Sequence, residues 1–419
     1  MPSDIPQYSD QEMLRICCSG RMLTALLMGF SSGLPLLLAT GSVLQAWLKE
    51  ASVDLGTIGL FALVGLPYTL KFLWAPLLDR FIPIARMGRR RGWLLLIQLT
   101  LIAAIAGLGL TDPTQSLPLM TLAAFLVAFF SASQDIVIDA YRCESLADNE
   151  QGLGASFYVS GYRVGLLLAS GGGLILADFI PFRAVYGVMA AAMLPSLITT
   201  VFCVEPLVTS GTPRTLREAV VQPFAEYFSR QDATLILLLV LLYKIGETMS
   251  SQLTMPFYLD LGFSRTEIGT VVKLFGFWAT AIGGLTGGAL ILRLGMYRAL
   301  WLFGVLQTIG LSGFVILARL GHSLMGLALT ITSENLFSGM ATTAYVAFMA
   351  TLTNKKFTAT QYALLSSLMG IPRVVISTPT GYLAGWLGWE GFFLFCMAAT
   401  VPGLWLLTRF QAWMESESE

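Results

Sequence analysis

Long apolar windows of about 20 residues, separated by short polar or turn-rich segments, recur along the whole chain. A helix of this length crosses the ~30 Å hydrocarbon core of a bilayer. The first window is too long for a cleaved signal peptide and lacks a small-residue processing site. The pattern predicts twelve membrane spans, numbered span 1 to span 12 in chain order: 22–48, 56–79, 92–111, 118–141, 153–177, 184–204, 233–257, 267–292, 298–318, 323–351, 358–385 and 390–409.

Composition places these windows in a membrane rather than in the core of a soluble protein. Hydrophobic residues make up 55% of the 419-residue chain and charged residues 12%, whereas about 25% of the residues of an ordinary soluble domain are charged. We therefore expect an integral membrane protein whose partner is the lipid bilayer and which binds no nucleic acid. The cysteines predict no disulfide framework, because Cys17, Cys18, Cys143 and Cys203 lie at predicted cytoplasmic span ends and Cys396 lies within a span.

The chain repeats itself with a shift of 210 residues, because Ile58-Gly59 maps onto Ile268-Gly269. The same shift relates a second set of residues around spans 5 and 11: Gln151, Ser156, Arg163 and Gly171 map onto Gln361, Ser366, Arg373 and Gly381. A common offset of half the chain length predicts two six-helix halves with a site between them at the membrane midplane. The predicted organisation is an N-terminal cytoplasmic segment, a first bundle, a linker with a surface helix over 215–228, a second bundle and an acidic tail: 1–21, 22–204, 205–232, 233–409 and 410–419.

The distribution of Lys and Arg predicts that both termini are cytoplasmic. With that orientation only Lys49, Arg183, Arg265 and Arg319 fall in outside loops. Such an excess of basic residues on one side is the positive-inside pattern. The inside segments carry the following sixteen residues: Arg15, Arg21, Arg80, Arg86, Arg89, Arg90, Arg91, Arg142, Arg214, Arg217, Arg230, Arg293, Arg298, Lys355, Lys356 and Arg409.

Four acidic residues lie well inside the spans. Asp135 and Asp139 are one helical turn apart in span 4, after the charge-free run 119–130, and Glu247 and Glu334 lie in the second half. A charge near the bilayer centre costs at least ~2.5–3.5 kcal/mol, so such residues need a partner or a function. We predict that these four acids are the proton-coupling candidates of a transporter, with Asp135 or Asp139 as the carrier and Glu334 as the second choice. The alternative for Asp135 and Asp139 is a structural ion pair, and both hold together if a proton and a cation compete for one carboxylate.

The sequence excludes several other energy sources and reaction types. The dipeptide Gly-Lys is absent, so the chain contains no phosphate-binding loop for ATP hydrolysis. The buried residues offer no nucleophile beside a base and no metal-ligand cluster, so we expect neither an enzyme nor a metal site. The only histidine, His322, lies in a predicted outside loop and cannot be the main buried proton relay. We expect no cofactor, with a proton gradient as the energy source.

Five cations inside the spans are candidates for binding the substrate: Lys71, Arg163, Lys244, Lys273 and Arg373. Against four acids they leave about one positive charge, which favours an anionic or zwitterionic substrate held by charge-assisted hydrogen bonds. For each cation an ion pair with one of the acids is an equally good interpretation. Polar and aromatic side chains within the spans that could contact a substrate, or simply pack, are Gln134, Tyr68, Tyr345, Trp278 and Asn335.

Between spans 2 and 3 an acidic residue at a helix end faces a basic cluster across a short turn. The segment Trp74-Ala-Pro-Leu-Leu-Asp79-Arg80 is followed by Gly88-Arg-Arg-Arg91. We predict that Asp79 and the arginines Arg89, Arg90 and Arg91 form a conformational latch that pairs differently as helices slide. The plainer interpretation is a capping Asp in a positively charged loop. Together with twelve spans and the half-length repeat, the segment resembles the signature loop of the major facilitator superfamily.

Motifs in both halves give a closer resemblance. The segments Ser131-Ala-Ser-Gln-Asp-Ile-Val-Ile-Asp-Ala140, Leu70-Lys-Phe-Leu-Trp-Ala-Pro-Leu-Leu-Asp-Arg80, Leu242-Tyr-Lys-Ile-Gly246 and Ala359-Thr-Gln-Tyr-Ala-Leu-Leu-Ser366 resemble the anhydromuropeptide permease (AmpG) family of that superfamily. Gly161-Tyr-Arg163 and Glu334-Asn-Leu336 fit as well, whereas Glu247 stands where the family pattern suggests Asp.

The resemblance implies the major facilitator fold and a monomer in the bacterial inner membrane. It also implies proton-driven import of N-acetylglucosaminyl-anhydromuramyl peptides from periplasm to cytoplasm. The polar and aromatic candidates named above would then contact the sugar. The same branch contains relatives that resemble importers of siderophores or acyl-coenzyme A. A non-transporting sensor on a transporter scaffold is the alternative of a different class, and it is disfavoured because the longest predicted soluble segment is the linker 205–232.

Overall fold

The computed structural model describes residues 15–53, 61–206, 216–229, 232–264, 267–368 and 380–416. Within these ranges every regular element is a helix, apart from one isolated bridge between Ile84 and Gly88. Nine helical stretches of the described chain are long and apolar enough to cross a membrane. The prediction of an all-α membrane protein is therefore confirmed.

The helices of the first half follow the predicted spans with breaks inside most of them. Span 3 is Arg89–Leu110 and span 4 is Leu117–Ser145. The interrupted spans are span 1, Gly20–Thr40 and Ser42–Glu50; span 2, the 3₁₀ turns Phe61–Gly65 and Lys71–Leu73 with the helices Leu66–Leu70 and Ala75–Arg80; span 5, Gln151–Leu167, the π-turn Leu168–Gly172 and Gly173–Ala177; and span 6, Phe182–Ala191 and Leu194–Phe202.

The second half has the same plan, and a helix precedes it in the linker at Leu216–Ser229. Its helices are span 7, Ala233–Leu242 and Ile245–Asp260; span 8, the π-helix Ile268–Phe275 and Gly276–Leu294; span 9, Met296–Leu320; span 10, Leu324–Thr351; and the first part of span 11, Thr358–Leu368. The final helical stretch, Thr380–Ser416, is interrupted at Gly388, whose φ of 69° separates span 11 from span 12.

The described part of span 2, residues 61–80, is not one continuous helix. Pro67 and Pro76 each stand in the first turn of a short helix, where a residue without a backbone N–H is tolerated but cannot continue the preceding helix. Span 7 is also divided, and Lys244 forms the N-cap of its second helix. Broken helices at membrane depth are tolerated where protein surrounds the freed backbone groups. The charged residues of both spans therefore lie at points where the helix is irregular.

Spans 1 and 5 pack with their backbones in contact. A Cβ atom added at Gly33 would lie 2.0 Å from the carbonyl oxygen of Tyr162, and one added at Gly161 would lie 2.0 Å from that of Leu26. Only glycine permits this approach of two helices. The contact brings Ser32 of span 1 beside Tyr158 of span 5, with their oxygens 3.1 Å apart.

The two halves meet at the end of the bundle that carries the linker helix, here called the linker face. An apolar core there combines first-half residues such as Ile138 with second-half residues such as Phe348. Lys355 and Asp148 form an ion pair of 3.3 Å across the halves. The linker helix lies across the same end, because Lys356 pairs with its Glu218 at 2.8 Å. The protein is thus closed at the linker face, which the sequence predicts to be cytoplasmic.

Candidate functional site

Span 4 presents two buried acids to spans 1, 2 and 5. Asp135 is 7% exposed and Asp139 is 5% exposed, and Ser32 of span 1 donates a hydrogen bond to Asp135. Lys71, from the irregular part of span 2, is 5% exposed and its charge acts on both acids. Lys71 forms no direct ion pair with any described residue, so its attraction for the acids acts through space. We call Lys71, Asp135 and Asp139 the first-half cluster.

Polar neighbours on span 4 hold the helix in place. Gln134 is fully buried, and its amide nitrogen donates to the carbonyl oxygen of Ser31 at 2.9 Å. Tyr68 shares a hydrogen bond with Ser131. Both side chains are used in contacts between helices of the first half, which in this conformation is packing rather than an open sugar site.

The second half contains a fully paired acid. Glu247 forms an ion pair with Lys244 at 2.6 Å and accepts hydrogen bonds from Ser338 at 2.6 Å and from Gln307. Lys244 also donates to Thr342 at 2.5 Å. A carboxylate with a cation and two donors is well stabilised in its ionised form. We call Lys244, Glu247 and Glu334 the second-half cluster.

Glu334 differs from Glu247 because it forms no hydrogen bond or ion pair with a described residue. The charges of Glu247, Lys244 and Arg163 act on it. Arg163 comes from span 5 of the other half, and its Nε is buried without a hydrogen-bond partner among the described residues. Charges of both halves therefore face each other across the interface between the bundles. Arg373 and the side chain of Lys273 lie outside the described residues.

The other predicted sugar contacts do not converge on this interface. Tyr345 is 2% exposed, donates to the carbonyl oxygen of Val240 at 2.5 Å and stacks on Tyr243. The amide of Asn335 is bonded to Thr280 and to the backbone of its own helix, both at 2.9 Å. Trp278 is 60% exposed on the outside of the bundle. In the described conformation these three side chains serve packing or face lipid.

The predicted latch is a buried ion pair that also caps a helix of the other half. Asp79 and Arg90 are both fully buried and 2.8 Å apart. The other carboxylate oxygen of Asp79 accepts from the backbone N–H and the hydroxyl of Thr360, at 2.8 and 2.7 Å. Thr360 lies in the first turn of span 11, where a negative charge is favourable to the helix dipole. Asp79 thus joins span 2 to the second half.

The other two arginines of the latch sequence have different partners. Arg89 donates to the backbone carbonyl of Asp79 at 3.0 Å and pairs with Glu144 at 3.1 Å. Arg91 does not pair with Asp79, because its guanidinium donates to the carbonyl of Thr200 at 3.1 Å. Glu205 accepts from the backbone N–H of Arg90, at 2.8 Å. Only Arg90 among the three arginines therefore forms the side-chain pair with Asp79 that the sequence predicts.

Sequence comparison places this architecture in a known family. The family model of the Major Facilitator Superfamily matches residues 21–377. A protein of Escherichia coli strain K12 described as an anhydromuropeptide permease is 45% identical over 398 residues, which cover 94% of this chain and 81% of that protein. The chain belongs to the anhydromuropeptide permease family of the major facilitator superfamily. The resemblance read from its motifs is confirmed, and so is the prediction that it is a transporter and not an enzyme.

One further relative and one solved structure are also similar to this chain. An uncharacterized protein of Haemophilus influenzae is 40% identical over 396 residues, covering 92% of this chain and 93% of that protein. The proton:xylose symporter XylE matches the structure with a TM-score of 0.69 at 10% identity, covering 93% of this chain and 95% of that one. The structural match shows that the permease has the major facilitator fold.

The sequence did not single out several residues that contact the charged clusters or the latch. The sequence counted Arg142 only among the inside positive charges, and the structure adds that it lies in the last turn of span 4 and is 2% exposed. Its spacing of three residues from Asp139 was a usable signal. Glu144 gave no such signal because a single acid at a span end is common, and Ser32 and Gln307 gave none because a single serine or glutamine within a span is common.

No group of three or more His, Cys, Asp or Glu side chains is placed to hold a metal ion in the part of the chain that the structure describes. His322 lies at the opposite end from the linker face, 3.4 Å from Glu267, with its ring against Phe263. Hydrogen bonds from the backbone and side chain of Ser264 hold the pKa of Glu267 below its ordinary value. This pair lies outside both charged clusters.

Replacing Asp79 with Ala is expected to slow turnover about tenfold with little change in substrate affinity. The variant removes both the pair with Arg90 and the cap on span 11, so it shifts the balance between conformations without touching ligand. Initial uptake rates and equilibrium binding, measured on the same preparation, separate these effects. Asp148→Ala, which breaks only an exposed ion pair, is the control. A large loss of affinity with unchanged turnover would show that Asp79 has another role.

Proposed function

We propose that the chain is a proton-driven importer of anhydromuropeptides, the N-acetylglucosaminyl-anhydromuramyl peptides, from periplasm to cytoplasm. The E. coli relative described as an anhydromuropeptide permease supports this substrate, because it is 45% identical over 94% of the chain. The positive-inside pattern supports an inner-membrane carrier with both termini in the cytoplasm. A monomer suffices, because the two halves of one chain form the interface that alternating access requires.

The observation that carries the proposal is the placement of Arg163 opposite the second-half cluster. Arg163 belongs to the first half, yet the charges that act on it are those of Glu247 and Glu334. Among the described residues, the Nε of Arg163 has no acceptor and the carboxylate of Glu334 has no donor. Together they offer complementary contacts to a substrate that carries both carboxylate and ammonium groups. The peptide part of a muropeptide has this chemistry. When the halves rock, these contacts open to one side and then to the other.

The first-half cluster supports proton coupling. Lys71 is held near two carboxylates without closing an ion pair on either, so a proton and the Lys71 ammonium can compete for them. Protonating one of these acids weakens its attraction to Lys71 and so changes the interactions among spans 1, 2 and 4. A proton can bias the conformation of a carrier in this way. The four acids Asp135, Asp139, Glu247 and Glu334 remain the candidates, with the first two favoured.

Uptake of labelled muropeptide into proteoliposomes with an imposed proton gradient tests the function. We expect uphill accumulation, competition by the free N-acetylglucosaminyl-anhydromuramic acid disaccharide, and weak competition by the free peptide. Arg163→Gln should raise the half-saturation concentration for muropeptide by about tenfold, the value of one charge-assisted hydrogen bond. Arg183 is an exposed arginine at the end of the bundle opposite the linker face. Arg183→Gln is the matched control and should leave the half-saturation concentration unchanged.

The outcomes separate the alternatives. Uptake of a ferric siderophore or a coenzyme A ester without binding of muropeptide or disaccharide would contradict the substrate and keep the carrier. Specific binding of muropeptide with no transport under any gradient would contradict the carrier and favour a sensor.

A further inference from the structure

A buried arginine lies between an acid of the first half and a hydroxyl of the second. Arg142, in the last turn of span 4, is 2% exposed. Its Nη2 donates to the hydroxyl of Tyr362 at 3.0 Å and lies 4.0 Å from Oδ1 of Asp139. Tyr362 belongs to span 11 and is 3% exposed. One nitrogen of Arg142 therefore faces two acceptors, one in each half.

The guanidinium of Arg142 is poorly satisfied where it lies. Nε and Nη1 are buried and have no hydrogen-bond partner among the described residues. The group stacks on the rings of Tyr158 and Tyr362, with its carbon 5.5 Å from each ring centroid. Burying a charge with few hydrogen bonds is unfavourable. Arg142 should therefore move toward whichever acceptor binds it more strongly.

The carboxyl group of Asp139 binds Arg142 strongly or weakly depending on whether it is protonated. An ionised carboxylate binds a guanidinium more strongly than a neutral hydroxyl does, whereas a protonated carboxyl does not. The shift needed is small, because Arg142 and Asp139 are already 4.0 Å apart on one helix face. Arg21 of span 1 lies beside Arg142 and is paired with Glu150. The other charged or titratable groups around Arg142 and Asp139 are Lys71 of span 2, Asp135 and Cys143 of span 4, Tyr158 of span 5 and Tyr362 of span 11.

We propose that Arg142 is a positioning residue that couples the protonation of Asp139 to the cytoplasmic gate formed by spans 4 and 11. With Asp139 protonated, Arg142 stays bonded to Tyr362 and keeps the linker face closed. With Asp139 ionised, Arg142 turns to the carboxylate and its bond across the halves weakens. The inference rests on the proposed function, in which Asp139 accepts the proton.

This arrangement has a consequence for coupling. A carrier that has bound a proton but no substrate would keep its cytoplasmic side closed, so the proton would not leak inward without cargo. Opening of the loaded carrier would then require binding energy from the substrate. The ion pair between Lys355 and Asp148 also joins the halves, yet its side chains are 55% and 82% exposed. That pair is a matched control.

The test measures gate closure directly, without substrate and without transport. Spin labels on cysteines at Ala147 and Thr351, in a background lacking the native cysteines, report the distance between the halves at the linker face in nanodiscs. Lowering the pH through the titration of Asp139 should raise the closed-to-open ratio of the parent about tenfold. Asp139→Asn should stay closed at every pH, and Lys355→Gln should titrate like the parent.

Tyr362→Phe is the decisive variant, because it keeps the ring and removes only the hydroxyl. We expect it to lose the pH dependence of the distance, Arg142→Gln to lose it too, and Arg142→Lys to regain part of it. An unchanged pH dependence in Tyr362→Phe would overturn the proposal even if Arg142→Gln failed to fold. The distances need no substrate, so a failure of muropeptide uptake with the expected distances would contradict the proposed function alone.

Discussion

Asp135→Asn and Asp139→Asn, made singly, are each expected to abolish gradient-driven accumulation while leaving some exchange of substrate across the membrane. Asparagine keeps the size of the side chain but cannot carry a proton. A transmembrane potential of 100 mV is worth ~2.3 kcal/mol per charge moved. Losing one coupled proton therefore lowers the attainable accumulation ratio about 50-fold at that potential. Uphill uptake and counterflow in the same proteoliposomes measure the two activities separately.

Asp112→Asn is the control for this pair of variants. Asp112 lies in the loop between spans 3 and 4, and hydrogen bonds from the side chain and backbone of Thr114 hold its pKa below the ordinary value for a carboxyl. It stays ionised at neutral pH and should not carry the coupling proton. Undiminished accumulation in both Asp135→Asn and Asp139→Asn would assign the proton to Glu247 or Glu334 instead.

The fold could be predicted from the sequence because a bilayer imposes strong rules on a chain. Apolar length located the spans, and the half-length repeat of Arg163 and Arg373 indicated two bundles. The breaks were harder to locate. Pro67 and Pro76 pointed to a helix interruption in span 2, yet both lie in an apolar window that hydropathy alone reads as continuous. Span 7 is divided at Lys244 without a proline, and Gly246, two residues later, was the nearest local signal of a break.

The site could be predicted only in part, because its partners come from different helices. The rarity of buried charge selected Asp135, Asp139, Glu247 and Glu334, which lie inside spans 4, 7 and 10. It could not show that Glu247 has Gln307 and Ser338 as donors, since these lie 60 and 91 residues away. Nor could it distinguish a buried arginine at a span end from an exposed one, so the sequence did not single out Arg142 as a site residue.

The contrast between the two acids of the second-half cluster bears on the mechanism. Glu247 already has a cation and two donors, and gaining a proton would break contacts with Lys244, Ser338 and Gln307 together. Glu334 has no such contacts with described residues and faces Arg163 across the interface. Glu247 therefore fits the role of a fixed charge that holds Lys244 in place. Glu334 fits the role of a group whose charge changes or meets the substrate.

Lys244→Met is accordingly expected to destabilise the protein strongly, whereas the double variant Lys244→Met/Glu247→Gln recovers most of the loss. Removing one partner of a buried pair leaves the other charge uncompensated, at a cost of about 3–5 kcal/mol, while removing both is often nearly neutral. Thermal unfolding of the parent, both single variants and the double variant in detergent measures the coupling between the two positions.

The double variant should keep the accumulation ratio of the parent if Asp135 and Asp139 carry the proton. Equal destabilisation of Lys244→Met and the double variant would show that Lys244 acts through Thr342 or the helix break rather than through Glu247. Loss of accumulation in a stable double variant would place Glu247 in the coupling pathway.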